Sequence, residues 1–181
     1  MRILLTLLLA AASGCTPEAG EPDAPSGSDG ATEREIHGFS LSETQDGKRL
    51  WLLRADVAYR FPDQSEVRLQ GVRIDFYDSG GEATSRLTSR SGFVDEETED
   101  LTAKGNVVVI STAGDTLMTE ELQYHHAEEL ITGPDWVRLA KPDQILTGFG
   151  FRSRPDLSDY RVERDVQIIY IDRDGTLEEG P

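Results

Sequence analysis

The sequence predicts an all-β fold, a twisted antiparallel sheet of about four stacked repeats. One set of leucines recurs 34, 30 and 29 residues apart: Leu53, Leu87, Leu117 and Leu146. A set of valines follows in step, each 19 or 20 residues after its leucine: Val72, Val107, Val137 and Val166. Repeats of this length are typical of one supersecondary unit stacked several times.

Apolar residues also alternate with polar ones, as expected for strands that bury one face. The longest alternation runs over residues 51–61, from Trp51 to Phe61, with Leu53, Val57 and Tyr59 on its apolar side. Shorter runs alternate in the same way: Val72-Ile74-Phe76, Val107-Val109, Val137-Leu139 and Val166-Ile168-Tyr170. No segment shows a convincing helical period. Residues 120–130 come nearest and fit a strand and a turn about as well.

Turn sequences separate these runs: Asp46-Gly47, Pro62-Asp63, Ser79-Gly80-Gly81, Ala113-Gly114-Asp115, Lys141-Pro142-Asp143, Arg154-Pro155-Asp156 and Asp174-Gly175. Glycine also lies shortly before three of the repeating valines, at Gly71, Gly105 and Gly133. Glycine inside a strand pattern often marks a bulge or bend. Each unit is therefore predicted as strand, turn, strand, glycine bend, strand. The fourth copy has Arg164-Asp165 at the bend, which predicts a weaker one.

The N-terminus has the pattern of an export signal. Arg2 precedes an apolar run over residues 3–12, and Ser13-Gly14-Cys15 follows. The run is too short to span a bilayer, which takes about 20 residues. It resembles a bacterial lipobox, which implies cleavage before Cys15 and lipidation of that residue. An ordinary signal peptide with a chance cysteine is the alternative. Cys15 is the only cysteine, so a disulfide within one molecule is excluded.

These patterns predict four regions. Residues 1–14 are the signal peptide, and residues 15–35 are a lipid-anchored, disordered linker with no large apolar residue between 16 and 35. Residues 36–176 are the β domain, and residues 177–181 are a disordered tail. The formal charge is −16, and becomes −17 when Arg2 is removed. Such a chain would repel nucleic acid and anionic headgroups, so attachment to a membrane is expected through the lipid.

Chemistry-bearing motifs are sparse, and we expect neither catalysis, a cofactor nor a metal site. His125-His126 with Glu128-Glu129 could suggest metal ligands, but neighbouring side chains on a strand point to opposite faces. The acidic run 95–100 lacks the glycine-spaced calcium loop of an EF-hand, and a solvated hairpin turn is favoured. There is no Gly-x-Ser-x-Gly motif and no phosphate loop.

Three segments resemble the LptC family: Trp51–Tyr59, Leu101–Val109 and Asp115–Tyr124. The lipobox-like start is also similar to that family. The resemblance of the folded part covers residues of about 36–172. It implies a V-shaped β-jellyroll, also called a β-taco, whose apolar groove holds the lipid A acyl chains of lipopolysaccharide. It also implies a periplasmic protein, most consistent with the inner membrane, that docks one edge to the permeases of an ABC transporter. The other edge would dock to an LptA-like periplasmic bridge protein. Family members often use a transmembrane helix instead of a lipid, and Thr16 differs from the aspartate that retains enterobacterial lipoproteins at the inner membrane.

The candidate site residues follow from the inward side of the strand pattern. The groove candidates are Trp51, Leu53, Val57, Tyr59, Val72, Ile74, Phe76, Val107, Val109, Val137, Leu139, Phe149 and Phe151. The candidate partner edge is Val166, Ile168 and Tyr170. Two functions remain open: lipopolysaccharide transport, and a structural or adhesive β-sandwich lipoprotein with no lipid ligand. A carrier should leave an apolar cleft unfilled, whereas a sandwich should fill it.

Overall fold

A computed structural model describes residues 34–62 and 64–171, and the backbone of residues 177–179. The strands are β1 (Arg34–Gln45), β2 (Lys48–Arg60), β3 (Glu66–Tyr77), β4 (Ala83–Asp95), β5 (Leu101–Ser111), β6 (Thr116–His125), β7 (Leu130–Ala140), β8 (Gln144–Ser153), β9 (Arg161–Ile171) and β10 (Leu177–Glu179). A 3₁₀ turn, His126–Glu128, joins β6 to β7. None of the helical residues described could span a bilayer.

All ten strands form one antiparallel sheet in which each strand pairs with its neighbours in sequence. The predicted all-β fold is confirmed. The first connection shows how local sequence sets this order. Asp46 and Gly47 both have positive φ, 51° and 78°, and form a two-residue turn between paired Gln45 and Lys48. Such a turn matches the right-handed twist of the flanking strands.

A row of backbone irregularities crosses the middle of the strands from β1 to β9. We call this row the crease; it comprises residues 38, 56, 71, 90, 105–106, 120, 134–136, 149–150 and 165. Gly71 and Gly105 have φ of 65° and 77°, which favours glycine there. Pairing shifts or is interrupted at the crease in each strand pair from β4 onward. Asp165 also has positive φ, 51°, so the bend continues into β9 although glycine is missing there.

The crease divides the sheet into two leaves. Leaf 1 comprises residues 39–55, 72–89, 107–119, 137–148 and 166–171. Leaf 2 comprises residues 34–37, 57–62, 64–70, 91–104, 121–133 and 151–164. The inner faces of the leaves meet, because the rings of Phe76 in leaf 1 and Tyr124 in leaf 2 have centroids 5.4 Å apart. The fold is therefore a single sheet folded on itself, as a β-taco is.

The repeating leucines form a continuous apolar row across leaf 1. Their register partners complete the row, which reads Leu53, Ile74, Leu87, Val109, Leu117, Leu139, Leu146 and Ile168. The repeating leucines lie on β2, β4, β6 and β8. Each repeat of about 30 residues therefore corresponds to two strands and their turns, after which the chain returns to the same row. Three repeating valines are buried beside the crease, whereas Val166 in β9 is exposed.

The two ends of the sheet differ from its middle. Strand β1 is mostly exposed and pairs only with β2 among the described residues. At the other end, Leu177–Glu179, which lie in the predicted tail, pair with residues 169–171 of β9. The rest of β9 beyond that short pairing has its outer side free of partners among the residues described.

Substitution of adjacent residues on β6 tests the orientation of leaf 1. Leu117 is fully buried in the apolar row, whereas Met118 is 40% exposed on the outer face. Leu117→Ala should lower the free energy of unfolding by about 2–5 kcal/mol, and Met118→Ala by less than about 1 kcal/mol. Guanidinium unfolding measures both. Equal losses would contradict the assigned inner face.

Candidate functional site: the apolar interior and its mouth

The space between the two leaves is filled by apolar side chains. Ten of the thirteen groove candidates lie there, each no more than 4% exposed: Trp51, Leu53, Val72, Ile74, Phe76, Val107, Val109, Val137, Leu139 and Phe151. They belong to one hydrophobic cluster that includes residues of both leaves. These side chains pack against one another and do not line an open trough.

The inward orientation expected for three groove candidates is wrong. Val57 pairs with Gln70 and Tyr59 with Arg68, while their neighbour Ala58 is completely buried. The crease at Asp56 shifts the alternation of β2 by one residue, so Ala58 takes the inward position that Val57 would otherwise have. Val57 and Tyr59 are half-buried outside the hydrophobic cluster.

Phe149 faces outward for the same reason, because it lies in the crease of β8. It pairs with Trp136, and both side chains are exposed. Together with Met118 they line a shallow pocket of about 630 Å³ on the outside of the sheet. The next inward residue of β8 after the crease is Phe151.

Several interior residues were absent from the predicted set. They are Ala55, Ala58, Val67, Leu69, Leu87, Val94, Leu101, Ala103, Leu117, Leu122, Tyr124, Ile131, Leu146 and Leu157. The leucine repeat contains Leu87, Leu117 and Leu146, so that signal was present. Most of the others belong to leaf 2, where the crease interrupts the alternation of the strands. Leu157 follows a turn sequence and gives no strand signal.

The mouth is the side of the interior opposite the crease, where the rims of the two leaves approach each other. Near β1, His126 of the 3₁₀ turn reaches Glu43 of leaf 1, with Nδ1 2.9 Å from Oε2. Its Nε2 lies 3.3 Å from Oε2 of Glu99. Glu43 also accepts a hydrogen bond of 2.7 Å from Nε1 of Trp51. Glu99 belongs to leaf 2 like His126, so the contact between His126 and Glu43 is the one that joins the two rims here.

The histidine pair divides its partners as expected for neighbouring residues. His125 contacts the hydroxyl of Thr132 and Asp100, at 2.8 and 3.4 Å. His126 approaches Glu43 and Glu99, and one nitrogen or carboxylate oxygen from each of these three residues lies within 4.8 Å of the other two. The two carboxylates face different ring nitrogens of His126. In the acidic run, Asp95 and Asp100 close the β4–β5 hairpin, and Oδ1 of Asp95 accepts the amide of Glu97 at 2.8 Å.

At the other side of the mouth, the β8–β9 loop begins and ends in leaf 2 and reaches across to the rim of leaf 1. We call residues 154–160 the strap. Ser85 Oγ of leaf 1 donates a 2.6 Å hydrogen bond to the carbonyl oxygen of Pro155. A cavity of about 290 Å³ lies between the rims, lined among others by Leu50, Phe76, Tyr124 and Pro155. At this cavity, the buried rings of Phe76 and Tyr124 lie next to the surface of the described part of the protein.

Tyr124 is the group at the mouth whose ionisation is most strongly affected by the fold. Burial of its phenol raises its pKa well above the usual value, and the carboxylates of Glu43, Glu129 and Asp100 raise it further. The phenol is therefore neutral throughout the physiological range. A neutral aromatic ring against Phe76 keeps the interior apolar up to its rim.

The predicted partner edge lies on β9. Val166 and Tyr170 are exposed, at 47% and 48%, and Ile168 is half-buried against the hydrophobic cluster. Ile168 pairs with Leu146 and Tyr170 with Gln144, so the inner side of β9 completes the sheet. The side chains at the edge thus combine one anchoring residue with two exposed ones.

The architecture defines a class of protein: all-β domains made of one creased sheet with an apolar interior and two terminal edge strands. A family model described as "Lipopolysaccharide-assembly, LptC-related" matches residues 3–171. The chain therefore belongs to the LptC family, and is a component of lipopolysaccharide transport. A search of curated proteins found no match.

Alkaline unfolding tests the burial of Tyr124. Because the folded pKa is raised, an unfolded tyrosine, with a pKa of about 10, loses its proton first. The contribution of the protonated Tyr124 to the free energy of unfolding is therefore fully present below about pH 10. It falls by up to about 1.4 kcal/mol per pH unit above that pH. Tyr124→Phe should flatten the decline, measured by urea unfolding between about pH 9 and about pH 11, roughly one unit either side of that pKa. Tyr170→Phe, at an exposed position, is the control. An identical decline in wild type and Tyr124→Phe would contradict the assignment.

Proposed function

We propose that this protein receives lipopolysaccharide from an inner-membrane ABC transporter and passes it to a periplasmic bridge protein. The acyl chains of lipid A would lie between the two leaves. Support comes from membership of the LptC family together with the apolar interior that crosses eight strands, from β2 to β9. No catalytic group, cofactor or metal is required for this function.

The free energy of acyl-chain burial is sufficient for such a carrier. Each buried methylene contributes about 0.8 kcal/mol, so a chain of about a dozen carbons gains on the order of 10 kcal/mol before ordering costs. The contributions are spread over many similar contacts along the apolar row. A ligand held in this way can move along the interior without breaking one dominant interaction.

Exposed edges suit the transfer between proteins. Strand β1 would add to one partner and β9 to the other, by pairing of backbone groups across the edge. At β9, Val166 and Tyr170 are exposed while Ile168 anchors the strand. Exposed edge strands usually carry charges, bulges or prolines that prevent pairing with other chains. Here the partner proteins would pair with the edges of β1 and β9 and so prevent unwanted association.

Membrane attachment is proposed through Cys15, after removal of residues 1–14. Both lie outside the described residues. Lipidation would hold the β domain at the periplasmic face of the inner membrane, with residues 16–35 as a tether. A flexible tether of this length has a typical reach of roughly 25 Å.

The filled interior favours a second candidate, a structural or adhesive β-sandwich lipoprotein with no lipid ligand. In such a protein the cluster from Trp51 to Leu157 would be a permanent core. Transport requires instead that the leaves separate to admit an acyl chain. The two functions therefore differ in what touches the interior in living cells.

Photo-crosslinking at three positions distinguishes the functions. A crosslinker at Val109, which is buried in leaf 1, should yield lipopolysaccharide adducts in cells. The neighbouring Ile110, 52% exposed on the outer face, should yield none and is the matched control. A crosslinker at Tyr170 should yield an adduct with the bridge protein. Folded protein without lipid adducts at Val109 would establish the sandwich in place of the carrier, and equal adducts at both neighbours would contradict an interior site.

A further inference from the structure

The strap, residues 154–160, is anchored at both ends in leaf 2 and contacts the rim of leaf 1. Besides the bond from Ser85 to Pro155, Nε2 of Gln144 donates a hydrogen bond of 3.2 Å to the hydroxyl of Tyr160. The ammonium of Lys141 lies 5.1 Å from the centre of the Tyr160 ring. Ser85, Lys141 and Gln144 all belong to leaf 1 or its turns. The strap therefore closes the mouth by a few polar contacts.

Leu157, in the middle of the strap, inserts its side chain into the hydrophobic cluster. It is 1% exposed, although the strap residues on either side are not buried. Its φ is 63°, a left-handed conformation that residues other than glycine rarely adopt, and Asp159 is also left-handed at 44°. The loop thus holds an unfavourable backbone conformation while one leucine is buried between the leaves.

Contacts within the strap and with the end of β8 maintain this shape without depending on leaf 1. The amide of Leu157 donates to the carbonyl of Arg154 at 3.0 Å. Oγ of Ser153, at the end of β8, donates to the carbonyl of Ser158 at 2.7 Å, and the amide of Ser158 donates to Asp156 at 2.9 Å. The strap can therefore leave the rim of leaf 1 as a unit, since its internal bonds do not have to break.

We propose that the strap is a reversible plug, and that Leu157 occupies the volume taken by one acyl chain in the loaded protein. This inference depends on the proposed function, because it assigns the ligand as an acyl chain of lipopolysaccharide. The 290 Å³ cavity beside Pro155, lined by Leu50, Phe76 and Tyr124, is where the chain enters. When the strap is displaced, an acyl chain replaces the shorter side chain of Leu157 in the interior.

A plug of this kind lowers the apparent affinity for lipid. The measured Kd equals the intrinsic Kd divided by the fraction of molecules in which the strap is open. Weakening the plug therefore tightens binding although it removes apolar contacts. A permanent core residue would have the opposite effect, since its loss would destabilise the fold and leave binding unchanged or weaker.

The test compares two buried leucines in the full-length protein, reconstituted in lipid nanodiscs and titrated with fluorescent lipopolysaccharide. Leu157→Ala should lower Kd about tenfold or more. Leu122→Ala is the matched control, because Leu122 is equally buried, at 1% exposure, but lies on β6 outside the strap. It should leave Kd unchanged or raised.

Hydroxyl-radical footprinting of wild-type protein provides a measurement that no variant's folding can affect, because it reports the exposure of side chains. Saturation with lipopolysaccharide should increase oxidation of the Leu157 side chain, which is buried when the strap is closed, while that of Leu122 is not increased. If wild type binds but Leu157→Ala binds no more tightly, or oxidation of Leu157 is unaltered, the plug is refuted and transport stands. If neither wild type nor Leu157→Ala binds lipopolysaccharide, the proposed function fails and the plug fails with it.

Discussion

The architecture depends on the crease, because it allows one sheet to bury an apolar face on both sides of a fold line. A flat antiparallel sheet of this length with nothing packed on it would leave its apolar face exposed to water. At the crease the inward positions skip two or three residues instead of one, as between Ala55 and Ala58 or between Thr119 and Leu122. The bend brings Phe76 against Tyr124, and the two leaves bury each other's apolar rows. Packing of the interior, position of the mouth and exposure of the edges all follow from that fold line.

Close packing at the crease also explains why small residues occur beside it. A Cβ added to Gly92 would lie 2.3 Å from the carbonyl oxygen of Thr102, and one at Gly133 would lie 2.9 Å from that of Glu121. Neither backbone oxygen can move without disturbing the sheet. Side chains are excluded there by neighbouring backbone, whereas Gly71 and Gly105 are required by their positive φ. Two different physical reasons therefore favour glycine along one line of the sheet.

The sequence predicted the strands, most turns and the apolar row of leaf 1, because period-two alternation and the leucine spacing are local signals repeated four times. It did not predict where alternation shifts in β2, since no glycine marks Asp56, and this misplaced Val57 and Tyr59. Phe149 was misplaced because a large aromatic residue occupies a bulge that faces solvent. Leu157 gave no signal at all: its burial depends on contacts between β4, the β7–β8 turn and the strap, which are distant in sequence. Long-range closure of the mouth is thus the part of the site that local patterns could not specify.

A carrier of acyl chains must protect an apolar interior from water when empty and admit ligand when it arrives. The closed mouth meets the first requirement, and its contacts are few and largely polar, from His126 with Glu43 to Ser85 with Pro155. In the proposed function, these rims separate when lipid enters. Spin labels at Asp78 and Glu129, which lie on opposite rims of the mouth cavity, would give the distance between the rims by pulsed electron paramagnetic resonance. The labelled protein carries serine in place of Cys15. A longer distance on saturation with lipopolysaccharide is predicted, with no change for a pair within leaf 1 at Asp78 and Asp143. An unchanged distance between the rims while lipopolysaccharide is bound would contradict the account.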